Sequence, residues 1–237
     1  MPRMRRTWRW LIATGSLLTA IVVGCLVWLY SASQHVPEFY AHAVEIPAAK
    51  AAEQGERLER AVLQLQNEVR SDDRFQMTFT AGEINGWLAS DLIEKFPKAL
   101  PTGVSNPRVA LEPKTILIAF RFDQGVPTVV TLAFEPLLLA EENQLAIRVR
   151  QVKAGAVSVP LGPLLEEIAK RAQAAKIPLR WEQDDGVPTA IIPLQFLADA
   201  YRDKHVVLDT LAVEAEQITI AGRTIPVPEQ PRPVEAE

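Results

Sequence analysis

Three rhythms of apolar and polar positions follow one another along this chain. From Trp10 to Tyr30 no charged residue occurs, Arg3, Arg5, Arg6 and Arg9 stand directly before the run, and the first acid is Glu38. About 20 apolar residues suffice for a helix that crosses the hydrocarbon core of a bilayer, and Trp8, Trp10, Trp28 and Tyr30 bracket the run as an aromatic belt does. The pattern predicts a transmembrane signal-anchor over residues 10–30 with a basic cytoplasmic tail over 1–9. Under the positive-inside rule the remainder of the chain is then exported. Two other readings of the run stay open. Ser31-Ala32-Ser33 has the small residues of a cleavage site, and Val22-Val23-Gly24-Cys25 has the form of a lipobox, although Leu26 to Leu29 continue the apolar run beyond Cys25, the one cysteine of the chain.

The second rhythm is helical. After a connector from about His35 to Pro47, residues 47–70 carry Leu58, Val62, Leu65 and Val69 at steps of four, three and four, a narrow apolar stripe suited to docking on a sheet or a partner helix. Thr80 followed by Glu83 predicts a capping box. The helix it opens has Ile84, Trp87, Leu88 and Leu92 on its apolar side and ends before Pro97. A third helix is expected over 161–176, with Leu164, Leu165, Ile168 and Ala172 at helical spacing.

The third rhythm is alternation. Phe75, Met77 and Phe79 give a short strand. Ile116, Ile118, Phe120 and Phe122 alternate with other residues, as do Val130, Leu132 and Phe134, and Leu145, Ile147 and Val149; turns are expected at Asp123-Gln124-Gly125 and Glu141-Glu142-Asn143. With no helix between them, these strands predict an antiparallel meander. Asp184-Asp185-Gly186 predicts a hairpin between a strand at Leu179 to Trp181 and one at Ala190 to Ile192. Phe196 to Tyr201 reads as a short helical turn. Val206–Leu208, Leu211–Ala215 and Ile218–Ile220 read as the last strands, with a turn at Ala221-Gly222-Arg223. Pro226, Pro228, Pro231 and Pro233 cannot feed a sheet. The predicted fold is α+β: an N-terminal transmembrane helix, then one curved antiparallel β-sheet packed with about three helices. Its segments are the tail 1–9, the anchor 10–30, a connector with a helix over 31–73, an extracytoplasmic α+β domain over 74–225, and a disordered proline-rich tail over 226–237.

Charge narrows the functions. Four of the 25 Lys and Arg precede the apolar run and none of the 29 Asp and Glu does, so the exported part carries about −8, a poor balance for nucleic acid, whose binding needs phosphate neutralisation. No nucleic-acid partner is expected. With no cysteine beyond Cys25, that part has no internal disulfide and rests on a packed core, which some 200 residues can build.

Residues with a chemical reading are few. Asn85 lies on the polar edge of an apolar helix, as a bond to a neighbouring backbone or as a ligand contact. Trp87 reads as a core anchor or a stacking platform. Arg148 and Arg150 share one strand face, as a solvated face or as a cradle for an anionic lipid headgroup. Asn85, Trp87, Arg148 and Arg150 are thus the candidate ligand-binding residues. Phe134-Glu135-Pro136 ends a strand, and a buried, protonated Glu135 is its functional reading. Asp184 and Asp185 are turn residues without the further oxygen donors of a calcium loop. His35, His42 and His205 have no histidine four residues on, and no HExxH, GxSxG, GxGxxG or Walker pattern occurs. No catalytic residue, metal or cofactor is expected, and the chain does not read as an enzyme.

The segments Glu83-Ile84-Asn85-Gly86-Trp87-Leu88 and Ala133-Phe134-Glu135-Pro136, and Leu145, Val152 and Gly155 with Val157-Ser158-Val159-Pro160, resemble the YpmS-like family of single-pass bacterial membrane proteins. The likeness covers roughly residues 78–195 and the N-terminal run. The stretch Ala48 to Asp73 is longer and more helical than in that family, and the proline tail is extra. The resemblance implies a short cytoplasmic tail, one membrane helix and a sheet-rich domain outside the bacterial cytoplasmic membrane, with no assigned reaction. The layout is also similar to tubular lipid-binding folds, in which a curved sheet wraps a helix and shelters an acyl chain, a likeness of architecture alone.

Two functions follow as expectations. One is a membrane-anchored, non-catalytic binder of lipid or another apolar ligand, held on the bilayer through residues 10–30. Its apolar sheet face would carry Ile116, Ile118, Val130, Leu132 and Ile147, unless helices 47–70 and 161–176 fill that face completely. The other is an interaction or envelope-assembly module with a filled core, whose 47–70 helix and proline tail reach a protein partner.

Overall fold

The computed structural model describes residues 21–71, 73–194 and 204–226. It begins with a helix, α1, described over residues 21–33. Two helices follow, α2 (Glu38–Val44) and α3 (Ala48–Ser71), then strand β1 (Arg74–Thr80) and helices α4 (Ala81–Ala89) and α5 (Asp91–Lys95). Next come β2 (Val104–Glu112), β3 (Thr115–Phe122), β4 (Thr128–Leu139), β5 (Gln144–Ala154) and the short β6 (Val157–Ser158). Helix α6 (Gly162–Ala174) leads to β7 (Arg180–Asp184), β8 (Val187–Pro193), β9 (Lys204–Glu214) and β10 (Gln217–Pro226).

The expected fold needs correction on three counts. First, among the described residues no helix is long and apolar enough to cross a membrane. Of the span expected over 10–30, residues 10–20 lie outside the described residues, as do the tail 1–9, the turn at 196–201 and residues 227–237. Second, the single curved sheet is two antiparallel sheets: a large one in the order β2-β3-β4-β5-β8-β7 with β6 on β5, and a small one in the order β1-β10-β9. Alternation within a strand sets which side faces the core but not which distant strand is its partner, and β1 pairs with β10 from the far end of the chain, Phe75 opposite Gly222. Third, among the described residues five α-helices follow α1, not three.

Local chemistry explains most elements. The Thr80 side chain accepts from the Glu83 N–H while the Glu83 carboxylate accepts from the Thr80 N–H, so the capping box that opens α4 is formed. The helix predicted to continue to Pro97 breaks at Ser90, whose hydroxyl lies between two acceptors, the Gly86 carbonyl at 2.9 Å and the Asp91 carboxylate at 2.6 Å. Asp185 and Gly186, both at positive φ, form the two-residue turn between β7 and β8. The turn predicted at Ala221-Gly222-Arg223 is instead a register shift inside β10. A Cβ on Gly222 would lie 2.3 Å from the Val207 carbonyl oxygen and 2.6 Å from the Phe75 ring, so this glycine allows close packing, not chain reversal.

Each sheet face has its own cover. Residues 51–69 of α3 join it to α4 and the small sheet: Leu65 and Val69 pack on Phe75, Val206, Leu208 and Ile220. Its small residues meet α4, where a Cβ on Gly86 would sit 2.6 Å from the Ala51 carbonyl oxygen. Val62, the middle of the predicted stripe, stays exposed. On the large sheet, α6 lays Leu161, Leu164 and Leu165 over Phe120, Val130, Leu132, Phe134, Val149 and Val152. Val149 and Val152 face the same side although three residues apart, because Arg150 is an extra residue at a bulge opposite the Ala133–Phe134 step. The opposite face is roofed by residues 35–44, with Phe39 and Tyr40 over Ala119 and Val129.

Candidate functional site

The four candidate residues fall into two separate places. Asn85 is buried, 5% exposed, with both ends of its amide spent on β2: its Nδ2 donates to the Val109 carbonyl at 2.8 Å and its Oδ1 accepts from the Val109 N–H at 2.7 Å. A side chain here plays the part of a neighbouring strand and ties α4 to the sheet. Trp87 donates from Nε1 to Glu59 of α3 at 3.3 Å and packs at 6.1 Å, tilted 46°, on Phe96. Lys95 pairs with the same Glu59 and with Asp91, which locks α5 onto α3. Asn85 fixes α4 on the sheet and Trp87 fixes it on α3.

Arg148 and Arg150 stand on β5, three strands from the β2 edge where Asn85 attaches, or about 14 Å at normal strand spacing. They are not free cations. The Arg150 guanidinium is bonded twice to Glu135 of β4, with Nε at 2.7 Å. Arg148 reaches past β8 to Asp184 of β7, with Nε at 2.8 Å, and lies 3.9 Å from Glu135. The Asp184 carboxylate that accepts from Arg148 raises its already high pKa, against a smaller effect of burial. Two cations and two anions thus close a cross-strand network. Partly exposed pairs of this kind stabilise by about 0–1 kcal/mol each.

The feature that sequence reading missed lies on the same sheet face, under α2. A half-open groove of about 330 Å³ runs between the connector and β3–β5. Its floor is Leu117, Thr131, Ala133, Gln151 and Lys153, its roof His35, Pro37 and Phe39, and one end Gly155 and Ala156. The volume is at the lower end of the range for small-molecule sites, about 300–1,000 Å³. Thr131 and Lys153 are cross-strand partners on the floor. The Thr131 hydroxyl is buried without a hydrogen-bond partner among the described residues, a defect that costs about 1–3 kcal/mol when nothing fills it. Two more buried polar atoms lack partners, Gln54 Oε1 and Trp181 Nε1; of the three residues, Thr131 is the one lining this groove.

Behind the roof, Arg108 is 6% exposed and pairs with no carboxylate among the described residues. Its Nε donates to the Ala43 carbonyl at the C-terminus of α2 and its Nη1 to the Pro107 carbonyl, 3.0 Å and 2.7 Å. The negative end of the α2 dipole favours a cation there. Burial lowers the Arg108 pKa and raises that of Tyr40, whose neighbour Arg108 partly offsets the rise.

The base of α1 is clamped beside the groove. Ala32 and Ser33 offer carbonyls that accept from the Ala156 N–H at 2.8 Å and the Thr128 hydroxyl at 2.6 Å, and Gln34 donates to Pro127 at 2.9 Å. Gly155, at φ 59°, passes so close that a Cβ would lie 2.4 Å from the Ser33 carbonyl oxygen. Above the clamp Ile21, Val22, Val23, Leu26, Val27, Trp28, Leu29 and Tyr30 are all 41–67% exposed. Cys25 is exposed among them.

Among the described residues no three His, Cys, Asp or Glu side chains come together to hold a metal. No known family matches this chain, and neither a curated protein nor a solved structure does.

Proposed function

We propose that this chain is a non-catalytic binding module that associates with lipid through α1 and takes an apolar ligand in the groove under α2. The exposed apolar side chains of α1 between Ile21 and Tyr30 support the lipid association. The groove is the observation that carries the reading: its walls are mostly apolar, it opens to solvent, and its polar groups converge on one stretch of floor. The face expected to bind is not the one proposed, since α6 packs over its Val130 and Leu132. Native mass spectrometry of the full chain released from amphipol tests the reading. A stoichiometric small-molecule adduct that disappears in Ala133→Phe, a variant that fills the groove, supports it; the same adduct in both forms, or none in either, counts against it.

The reading of a protein-interaction module draws on a different place. Ile93 and Phe96 are 49% and 53% exposed beside a shallow depression lined by Pro97, Leu100, Pro101 and Val104. Helix α3 does not project for this purpose, because it is packed on α4 and β1. Crosslinking in cells from position 96 would retrieve a defined partner if this patch is an interface.

A further inference from the structure

We infer that the groove under α2 selects a single-chain carboxylate, the acid group seated between Lys153 and Thr131 and the chain along Phe39, Leu117 and Ala133. This rests on the groove being a ligand site and names the ligand's chemistry. Four observations meet there. Lys153 is half-buried, and its side chain has no ionic or hydrogen-bonding partner among the described residues. The Thr131 hydroxyl, its cross-strand neighbour, is buried and unpartnered, and cross-strand Cβ atoms stand about 5 Å apart. One oxygen of a carboxylate can accept from the Lys153 ammonium, and a χ1 turn of Thr131 brings its covered hydroxyl to the other. The remaining floor and roof, Leu117, Ala133, Pro37 and Phe39, offer carbon to the chain.

Charge on the surrounding face favours one negative group. Glu135 and Asp184 are occupied by Arg148 and Arg150, and both acids lie along the same face beyond Gln151. On β7 of the same face Arg180 pairs with Glu182, so among the described residues the cation left without an acid beside the groove is Lys153. A neutral chain would leave that ammonium and the Thr131 hydroxyl unsatisfied under cover, and an amine would repel it. The groove's small volume suits one chain better than the paired chains of a membrane phospholipid.

The test uses the full chain in amphipol with 11-(dansylamino)undecanoic acid as probe, displaced by decanoic acid, decanol or decylamine. Ala133→Phe serves as the measure of uptake outside the groove, and circular dichroism confirms that each variant is folded. The expected result is displacement by decanoic acid at least tenfold stronger than by decanol, none by decylamine, and a loss of about tenfold in Lys153→Met for the acid alone, the size of one charge-assisted hydrogen bond. Thr131→Val is expected to weaken the acid several-fold and leave decanol unchanged. Equal displacement by acid and alcohol, both unaffected by Lys153→Met but abolished by Ala133→Phe, would overturn the carboxylate inference and leave the groove as a ligand site. Probe uptake that Ala133→Phe does not change would overturn both.

Discussion

The two faces of the large sheet are built from strands of the same composition yet end differently. On one, α6 is a thirteen-residue helix that delivers Leu164 and Leu165 into the sheet, and Leu132, Val149 and Val152 are left 1–5% exposed. On the other, the cover is a seven-residue helix and its connector, with Tyr40 and Phe39 as the large side chains. The longer cover fills its face. The shorter one packs down on Ala119 and Val129 and stands off Leu117, Thr131 and Ala133, which leaves a groove beneath it. The bulge at Arg150 sharpens the contrast, because it returns Val152 to the filled face and keeps Gln151 and Lys153 on the open one. Where a sheet can bind is set here by the length and side chains of what lies on it, more than by the sheet's own hydrophobicity.

That contrast breaks first where packing is tightest. Leu132→Ala on the filled face should lower unfolding free energy by about 2–5 kcal/mol, read from urea denaturation, while the neighbouring Thr131→Val should leave it unchanged or raise it by about 1 kcal/mol through removal of an unpartnered hydroxyl. Equal losses for the two would mean that both faces are packed alike. A smaller effect is expected behind the roof. Arg108→Ala leaves the Ala43 carbonyl without its donor and should cost about 1–3 kcal/mol, with the 35–44 segment exchanging amide hydrogens faster than α6.

The smallest effect is electrostatic. Burial holds the Tyr40 phenol above its ordinary pKa of 10.0. Below pH 10 both folded and unfolded chains keep the proton, and Tyr40 adds no pH dependence. Above it the unfolded phenol ionises first, so stability falls with rising pH until the folded pKa is passed. The urea midpoint should therefore drop between pH 9 and pH 11 more in the natural chain than in Tyr40→Phe; equal drops would place Tyr40 in water.

Features whose cause lies within a few residues could be read from the chain. Thr80 and Glu83 announce their cap, Asp185-Gly186 its turn, and Leu164 and Leu165 the face of α6. Features made by pairing could not. β2 was missed because Pro107 interrupts its pattern and its register shifts between Ser105 and Arg108. The small sheet depends on β1 meeting β10, a contact sealed by the Thr78–Thr219 hydroxyl bond at 2.9 Å. Arg148 and Arg150 were seen to share a face, but their acids come from β4 and β7, and the groove needs three strands and a connector at once. Asn85 and Trp87 drew notice for real reasons of polarity and size, and both prove to hold α4 in place.

Photolabelling with a diazirine analogue of decanoic acid, followed by peptide mapping of the full chain, tests the difference between the faces most directly. The account predicts labels on residues 35–39, 131–133 and 151–156, and none on 161–165. Labels on the α6 peptides, or labelling of the groove peptides that excess decanoic acid does not reduce, would contradict it.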